Sequence, residues 1–380
     1  MAGVNHISNN FKVVVCSSGR KLKNSASFLP EEIIFNILLW LPAEVLYNVM
    51  RYVCREWYNV INDPGFINAH LQKSTDGLLI HSSNFVDSVC FVEINNCDIQ
   101  IRQLRYGFPL HVFGSCDGLV LSNCRDKRIL YVGNPITKQV VTLPPLFKTN
   151  RICSPRLTYV RSIGRYKVML ISPDENKHDV CLISTVGTDN AWRLIETKHL
   201  PNFDHYALYS KSSFSTGGYF YFTCDGASHI FALDAEAEIF HQFLVPNVYH
   251  KAIRCTYIVW KSFLALVAYC AGFVWELWAL TELNTGGWTR IFSIDLRGQR
   301  CMIEQIFDVP NGEWSLDRCL VPIASLKNGE LVIFRGVDLF KTYLVYNLKT
   351  GEVSSFVVEN CDRYNTYRCH VNSLVSLDFS

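Results

Sequence analysis

The sequence predicts a multidomain protein of α plus all-β class, a small N-terminal helical unit followed by a β-propeller of about six to seven blades. Three observations carry that expectation. Between Pro30 and Ile61, apolar residues recur at spacings of three and four. From Asp76 onward, short apolar runs alternate with turn signals. Two kinds of turn signal recur along those runs, which marks an internal repeat.

Residues 1–27 hold no apolar signal core, because the run from Phe11 to Cys16 is short and interrupted by Lys12. They are polar around Arg20, Lys21 and Lys23, and a disordered lead is expected. Residues 28–70 form the helical unit. Pro30 suits a first helical turn, where its missing N–H costs nothing. Glu31 and Glu32 follow, and negative charge is favourable there. Ile33, Ile34, Ile37, Leu38 and Leu41 then fall along one face. Pro42 ends that helix and can open a second, with Val45, Leu46, Val49, Met50 and Val53 as its stripe. Trp57 and Ile61 extend the pattern into a third segment, and Asp63-Pro64-Gly65 is expected to break it. So short a trio cannot bury all its apolar surface against itself. It packs on the rest of the chain or offers a patch to a partner.

The chain has 380 residues, enough for a small domain and a large one. Hydrophobic residues make up 49% and aromatics 13%, while charged residues are only 18%, which favours a compact β-rich protein. With 36 basic and 34 acidic residues, nothing points to a nucleic acid or an anionic membrane as partner. The 15 cysteines are scattered with no C-x-x-C and no histidine at ligand spacing, so neither zinc nor any other metal or cofactor is expected. They suit small buried residues in a reducing compartment, and the expected location is cytoplasmic or nuclear. The apolar run from Phe263 to Trp275 is too short to cross a membrane, and predicts two buried strands turning near Ala271-Gly272.

Residues 71–380 carry the repeat. Six units are visible, starting with Leu78–Tyr106 and a second from Leu119 to Leu143. The third combines Tyr166–Ile171, Val180–Ser184 and Trp192–Ile195, and the fourth Tyr219–Thr223, Ile230–Leu233 and Ile239–Val245. The fifth combines Phe263–Tyr269, Trp275–Thr281 and Trp288–Ile294, and the sixth Leu331–Phe334, Tyr343–Asn347 and Val353–Val358. An S/T-x-D-G turn signal occurs at Ser74–Gly77, Ser115–Gly118 and Thr223–Gly226, with Asn328-Gly329 in the matching place later. A second signal falls late in the units, at Asn134, Asp189, Asp234, Asn284 and Asn347. Units of roughly 40–50 residues close most simply as a propeller, with a β-sandwich array as the alternative. The tail Asn372–Leu377 is expected to supply a closing strand.

Two stretches resemble known families. Leu29, Pro30, Glu32, Ile33, Ile37, Leu38, Leu41, Pro42, Leu46, Arg51, Val53, Cys54, Arg55, Trp57, Ile61, Pro64 and Phe66 together resemble an F-box, with Arg51-x-Val53-Cys54-Arg55-x-Trp57 after Leu41-Pro42 as the specific part. The stretch from Leu46 to Arg51 is one residue longer than in many F-boxes. Ser115-Cys116-Asp117-Gly118-Leu119-Val120, Asn134-Pro135-Ile136-Thr137, Leu143-Pro144-Pro145 and Val371 to Leu377 resemble the F-box-associated, kelch-like propeller of plant F-box proteins. The resemblance implies a non-catalytic substrate adaptor of an SCF-type (Skp–cullin–F-box) ubiquitin ligase. Leu29, Pro30, Ile33, Ile37, Leu41, Pro42, Leu46, Val53 and Trp57 would bind the Skp-type adaptor, through it a cullin-RING core, and the propeller would bind an unidentified target protein.

Two rivals stand beside that reading: an F-box scaffold outside the ligase, and a propeller enzyme or sugar-binding module. No phosphate-loop, dinucleotide, nucleophile-elbow or H-E-x-x-H motif occurs. Asp117 and Asp225 both precede glycine, where turn chemistry explains them. His205, His229, His241 and His250 are irregularly spaced. Trp275 and Trp278 should point to opposite faces of one strand, and Phe203–Tyr209, Tyr249–Arg254 and Arg297–Arg300 are candidate contact loops.

Overall fold

The computed structural model describes residues 30–82, 89–95, 98–104, 111–124, 129–146, 153–173, 179–196, 212–223, 228–307, 320–336, 341–359, 361 and 365–378. The lead 1–27, Leu29, His205, Asp225 and the loop Phe203–Tyr209 lie outside them.

Four short α-helices open the described chain: α1 (Glu31–Leu38), α2 (Ala43–Asn48), α3 (Arg55–Asn62) and α4 (Pro64–Lys73). Pro30 and Pro42 occupy the caps of α1 and α2, as their missing N–H allows. The expected break at Asp63-Pro64-Gly65 is instead a helix start. The Asp63 carboxylate accepts from Phe66 N at 2.9 Å and Pro64 sits in the first turn, so the same residues that end α3 cap α4. Within Leu46–Arg51, Val49 leaves helical geometry (φ −128°) and a 3₁₀ turn follows over Met50–Tyr52.

The rest builds four-stranded antiparallel sheets, six of them among the described residues, arranged as a β-propeller. The first blade holds β1 (Asp76–His81), β2 (Val89–Asn95) and β3 (Asp98–Leu104). The second holds β4 (His111–Cys116), β5 (Leu119–Cys124), β6 (Ile129–Gly133) and β7 (Val140–Thr142). The third holds β8 (Cys153–Val160), β9 (Arg165–Pro173), β10 (Asp179–Thr185) and β11 (Arg193–Ile195). The fourth holds β12 (Ser212–Thr216), β13 (Tyr219–Thr223), β14 (His229–Asp234) and β15 (Ile239–Leu244). The fifth holds β16 (Arg254–Trp260), β17 (Phe263–Ala271), β18 (Val274–Glu282) and β19 (Gly287–Asp295). A helix α5 (Arg300–Ile306) leads to the sixth, β20 (Leu320–Leu326), β21 (Leu331–Gly336), β22 (Thr342–Asn347) and β23 (Val353–Val357).

The last strand, β24 (Thr366–Val371), returns to pair antiparallel with β1, Leu78 opposite Cys369, and completes the first blade. The closing strand therefore precedes the expected Asn372–Leu377, which runs as a non-strand strap. β4, β8, β12, β16, β20 and β24 form the inner ring and touch their neighbours around the axis.

The core is a set of wedges between blades, because both faces of each blade are covered and successive residues alternate between them. Trp275 fills the wedge between the fifth and sixth blades, its ring 5.3 Å from that of Phe334. Trp278, on the opposite face, is half-buried and donates to Glu276 at 3.0 Å. The run from Phe263 does form two strands, joined at Gly272 and Phe273 with φ of +56° and +63°. Asn134, Asp234 and Asn347 each fold their side-chain oxygen onto the amides two and three residues ahead, so the late turn signal is a repeated third-to-fourth-strand hairpin. The other signal is less uniform. Asp117-Gly118 and Asn328-Gly329 join first to second strands, whereas Asp76-Gly77 lies inside β1.

Candidate functional site: an apolar face on the helical unit

The helical unit has an inner and an outer side. Its inner side buries Leu38, Leu46, Val60, Ile61 and Phe66 against Ile136 of the second blade and Leu374 of the strap. His70 of α4 holds the α1–α2 turn, with Nε2 2.9 Å from Leu41 O. Tyr47 donates to Thr137 O at 2.8 Å and carries the Arg51 guanidinium 3.5 Å above its ring. Glu44 and Arg102 of β3 add a half-exposed ion pair at 3.6 Å, worth little alone.

The outer side is apolar and open. Ile33 (45% exposed), Ile37 (47%) and Trp40 (76%) follow each other at spacings of four and three. Val49, Tyr52, Val53 and Tyr58 continue the exposed set, and Lys73 sits 3.9 Å over the Trp40 ring. Scattered exposed apolar residues are ordinary, but this short unit gathers seven large ones between Ile33 and Tyr58.

The residues expected to bind an adaptor divide between the two sides. Ile33, Ile37 and Val53 are exposed, as are Pro30 and Pro42. Leu41 and Trp57 are half-buried against the helical core. Leu46 has no exposed surface, so it supports the face from behind. Trp40 and Tyr52 belong to the exposed set although sequence reasoning passed over them.

The propeller motifs meet at one joint beneath this unit. Asn134 is fully buried; its amide nitrogen donates to Ser373 O at 3.1 Å and Val375 O at 2.8 Å, while its oxygen accepts from Ile136 N at 2.8 Å. Ser373 Oγ donates to Asp117 O at 2.6 Å. Gly118, at φ +86°, leaves no space for a Cβ, which would stand 2.1 Å from Ser373 Oγ. Asp117 accepts from Tyr166 OH at 3.1 Å, and burial raises its carboxyl. The stretches Ser115–Gly118, Asn134–Thr137 and Val371–Leu377 thus form a structural seat for the helices.

His370 lies in that seat, fully buried, with Nδ1 2.8 Å from Ser115 Oγ. Burial pushes its pKa down to about 4, against a weaker pull from Asn372. The fold therefore favours the neutral ring, and this contribution is present above about pH 6.5 and lost as pH falls toward 4. From pH 6.5 to 5, wild type should lose about 2 kcal/mol more than His370→Gln, read by urea unfolding. Parallel pH profiles would contradict it.

No group of three or more His, Cys, Asp or Glu among the described residues is placed to hold a metal ion. His241 stacks on Phe243, and His250 packs edge-on against Tyr249. Cys54 and Cys301 are exposed, against the expectation of burial; Cys90, Cys181 and Cys361 are buried.

Two family models match the chain, "F-box-like" over residues 26–70 and "F-box associated beta propeller domain" over 71–374. Similar proteins come from Arabidopsis thaliana. Putative F-box protein At4g09190 is 26% identical over 62% of this chain and 63% of its own length. F-box protein At5g49610 is 22% identical over 74% of this chain and 83% of its own length. The match to the first of these spans under two thirds of that relative. An N-terminal helical unit on a six-bladed propeller, each matched by its own model, places the chain in the family of F-box proteins that carry an F-box associated β-propeller.

Proposed function

We propose that this chain is the substrate-recognition subunit of an SCF-type ubiquitin ligase. The exposed face of Ile33, Ile37, Trp40, Val49, Tyr52 and Val53 is the observation that carries the reading. It lies on the F-box-like segment and opposite the side that packs on the propeller. A Skp-type adaptor would cover it and link the chain to a cullin-RING core, and the propeller would hold a target protein. The chain then performs no bond chemistry and needs no cofactor; it raises the effective concentration of target lysines near the transferring enzyme. Cytoplasmic or nuclear residence goes with this reading. Among the described residues no helix is long and apolar enough to cross a membrane.

The test is co-purification of the full chain with a purified Skp-type adaptor, followed by addition of the cullin-RING core. A stable ternary assembly is expected. A folded full chain that fails to retain the adaptor would overturn the ligase reading.

A further inference from the structure

The inner strands enclose a cavity of about 710 Å³ along the propeller axis. Three guanidinium groups line it, those of Arg156 and Arg368 and that of the exposed Arg161. Arg156 of β8 is 9% exposed; its Nε donates to Ser213 O at 2.7 Å, and its Nη1 to Pro155 O at 2.8 Å and Phe113 O at 3.2 Å. Arg368 of β24 donates its Nε to the same Phe113 O at 2.8 Å and its Nη1 to Tyr367 O at 2.6 Å. All these acceptors are neutral carbonyls, and each Nη2 is left without a protein acceptor among the described residues. Ser213, on the same cavity, keeps a buried hydroxyl with no partner among the described residues.

No carboxylate compensates the pair. Of the four acids on this cavity, Asp76 accepts from Lys327 N at 2.6 Å, Asp117 from Tyr166, Asp234 from the amides of its own turn, and Glu236 is exposed with no ion pair to either arginine. Burial raises Asp76 and Asp117, where a nearby guanidinium would have held them down. Burial lowers Arg156, and Arg368 lowers it further. Two like charges sharing one carbonyl, without a counter-charge, are costly in a fold that could have used neutral donors there.

We propose that Arg156 and Arg368 form an anion site in the propeller channel that takes a small phosphate-type oxyanion. The two Nη2 groups left over, on two neighbouring positive charges, suit an anion with several oxygens and more than one negative charge, which chloride does not offer. The depth of Arg156 restricts the site to a small ligand.

The probe is inorganic pyrophosphate, titrated into the full chain by calorimetry at constant ionic strength set with sodium chloride. Saturable binding and a raised melting temperature are expected. Arg368→Gln should weaken binding at least tenfold and remove the melting shift, with Arg368→Lys between it and wild type. Should Arg368→Gln fail to fold, the wild-type titration and Arg368→Lys still decide. No saturable binding to wild type, or equal affinity in wild type and a folded variant, would overturn the site and leave the arginines as staples between blades.

Discussion

Asn134→Ala lowers the stability of the chain by about 3 kcal/mol, the sum expected when a buried amide loses several hydrogen bonds and orphans its partners. The residue joins three things: its own hairpin, the strap at Ser373 and Val375, and, through Ile136, the floor of the helical unit. Asn347 provides a built-in control. It makes the same turn in the sixth blade, to Lys349 N and Thr350 N, but reaches no strap. Asn347→Ala should therefore cost only about 1 kcal/mol. Urea unfolding of the two variants measures the difference. Equal losses would mean that the strap bonds contribute nothing and that the joint is only a turn.

Ile37→Asp and Leu46→Asp separate the two sides of the helical unit. Ile37 is half exposed in the free chain, so a carboxylate there stays hydrated and stability is unchanged. Against an adaptor the same carboxylate is desolvated without a partner, and binding should fall by roughly 2–3 kcal/mol, a loss of about 30- to 150-fold. Leu46 is wholly buried among Leu38, Ile61 and Phe66. Leu46→Asp should unfold the unit, at a cost of roughly 4 kcal/mol or more, and abolish binding for that reason. Calorimetry with the adaptor, read beside the helical signal in circular dichroism, distinguishes them. Loss of helix in Ile37→Asp, or a stable Leu46→Asp that still binds, would contradict this division.

Much of the propeller was legible because the second, third and fourth strands carry apolar runs between strong turn residues. The inner strands were the ones missed. They hold Pro155 and Arg156, Ser213 and Ser215, Pro322, Arg368 and His370, since they border the channel and face one another. In β8, β12 and β24 such residues interrupt the apolar pattern by which strands are recognised. α4 was missed because Pro64-Gly65 reads as a breaker, although Asp63 before it is a capping residue. From Ile33 to Leu41 every position but Asn36 is apolar, so periodicity could not separate exposed Ile37 from buried Leu38. The joint was beyond reach for another reason: Asn134 and Ser373 are 239 positions apart, and nothing local announces their contact.

Hydrogen–deuterium exchange of the full chain, with and without a purified Skp-type adaptor, tests most directly where the adaptor docks. The slowed amides should fall in α1 and in the segment from Val49 to Tyr58, where the exposed apolar side chains lie. Unchanged exchange there, with protection confined to the propeller, would contradict docking through this face.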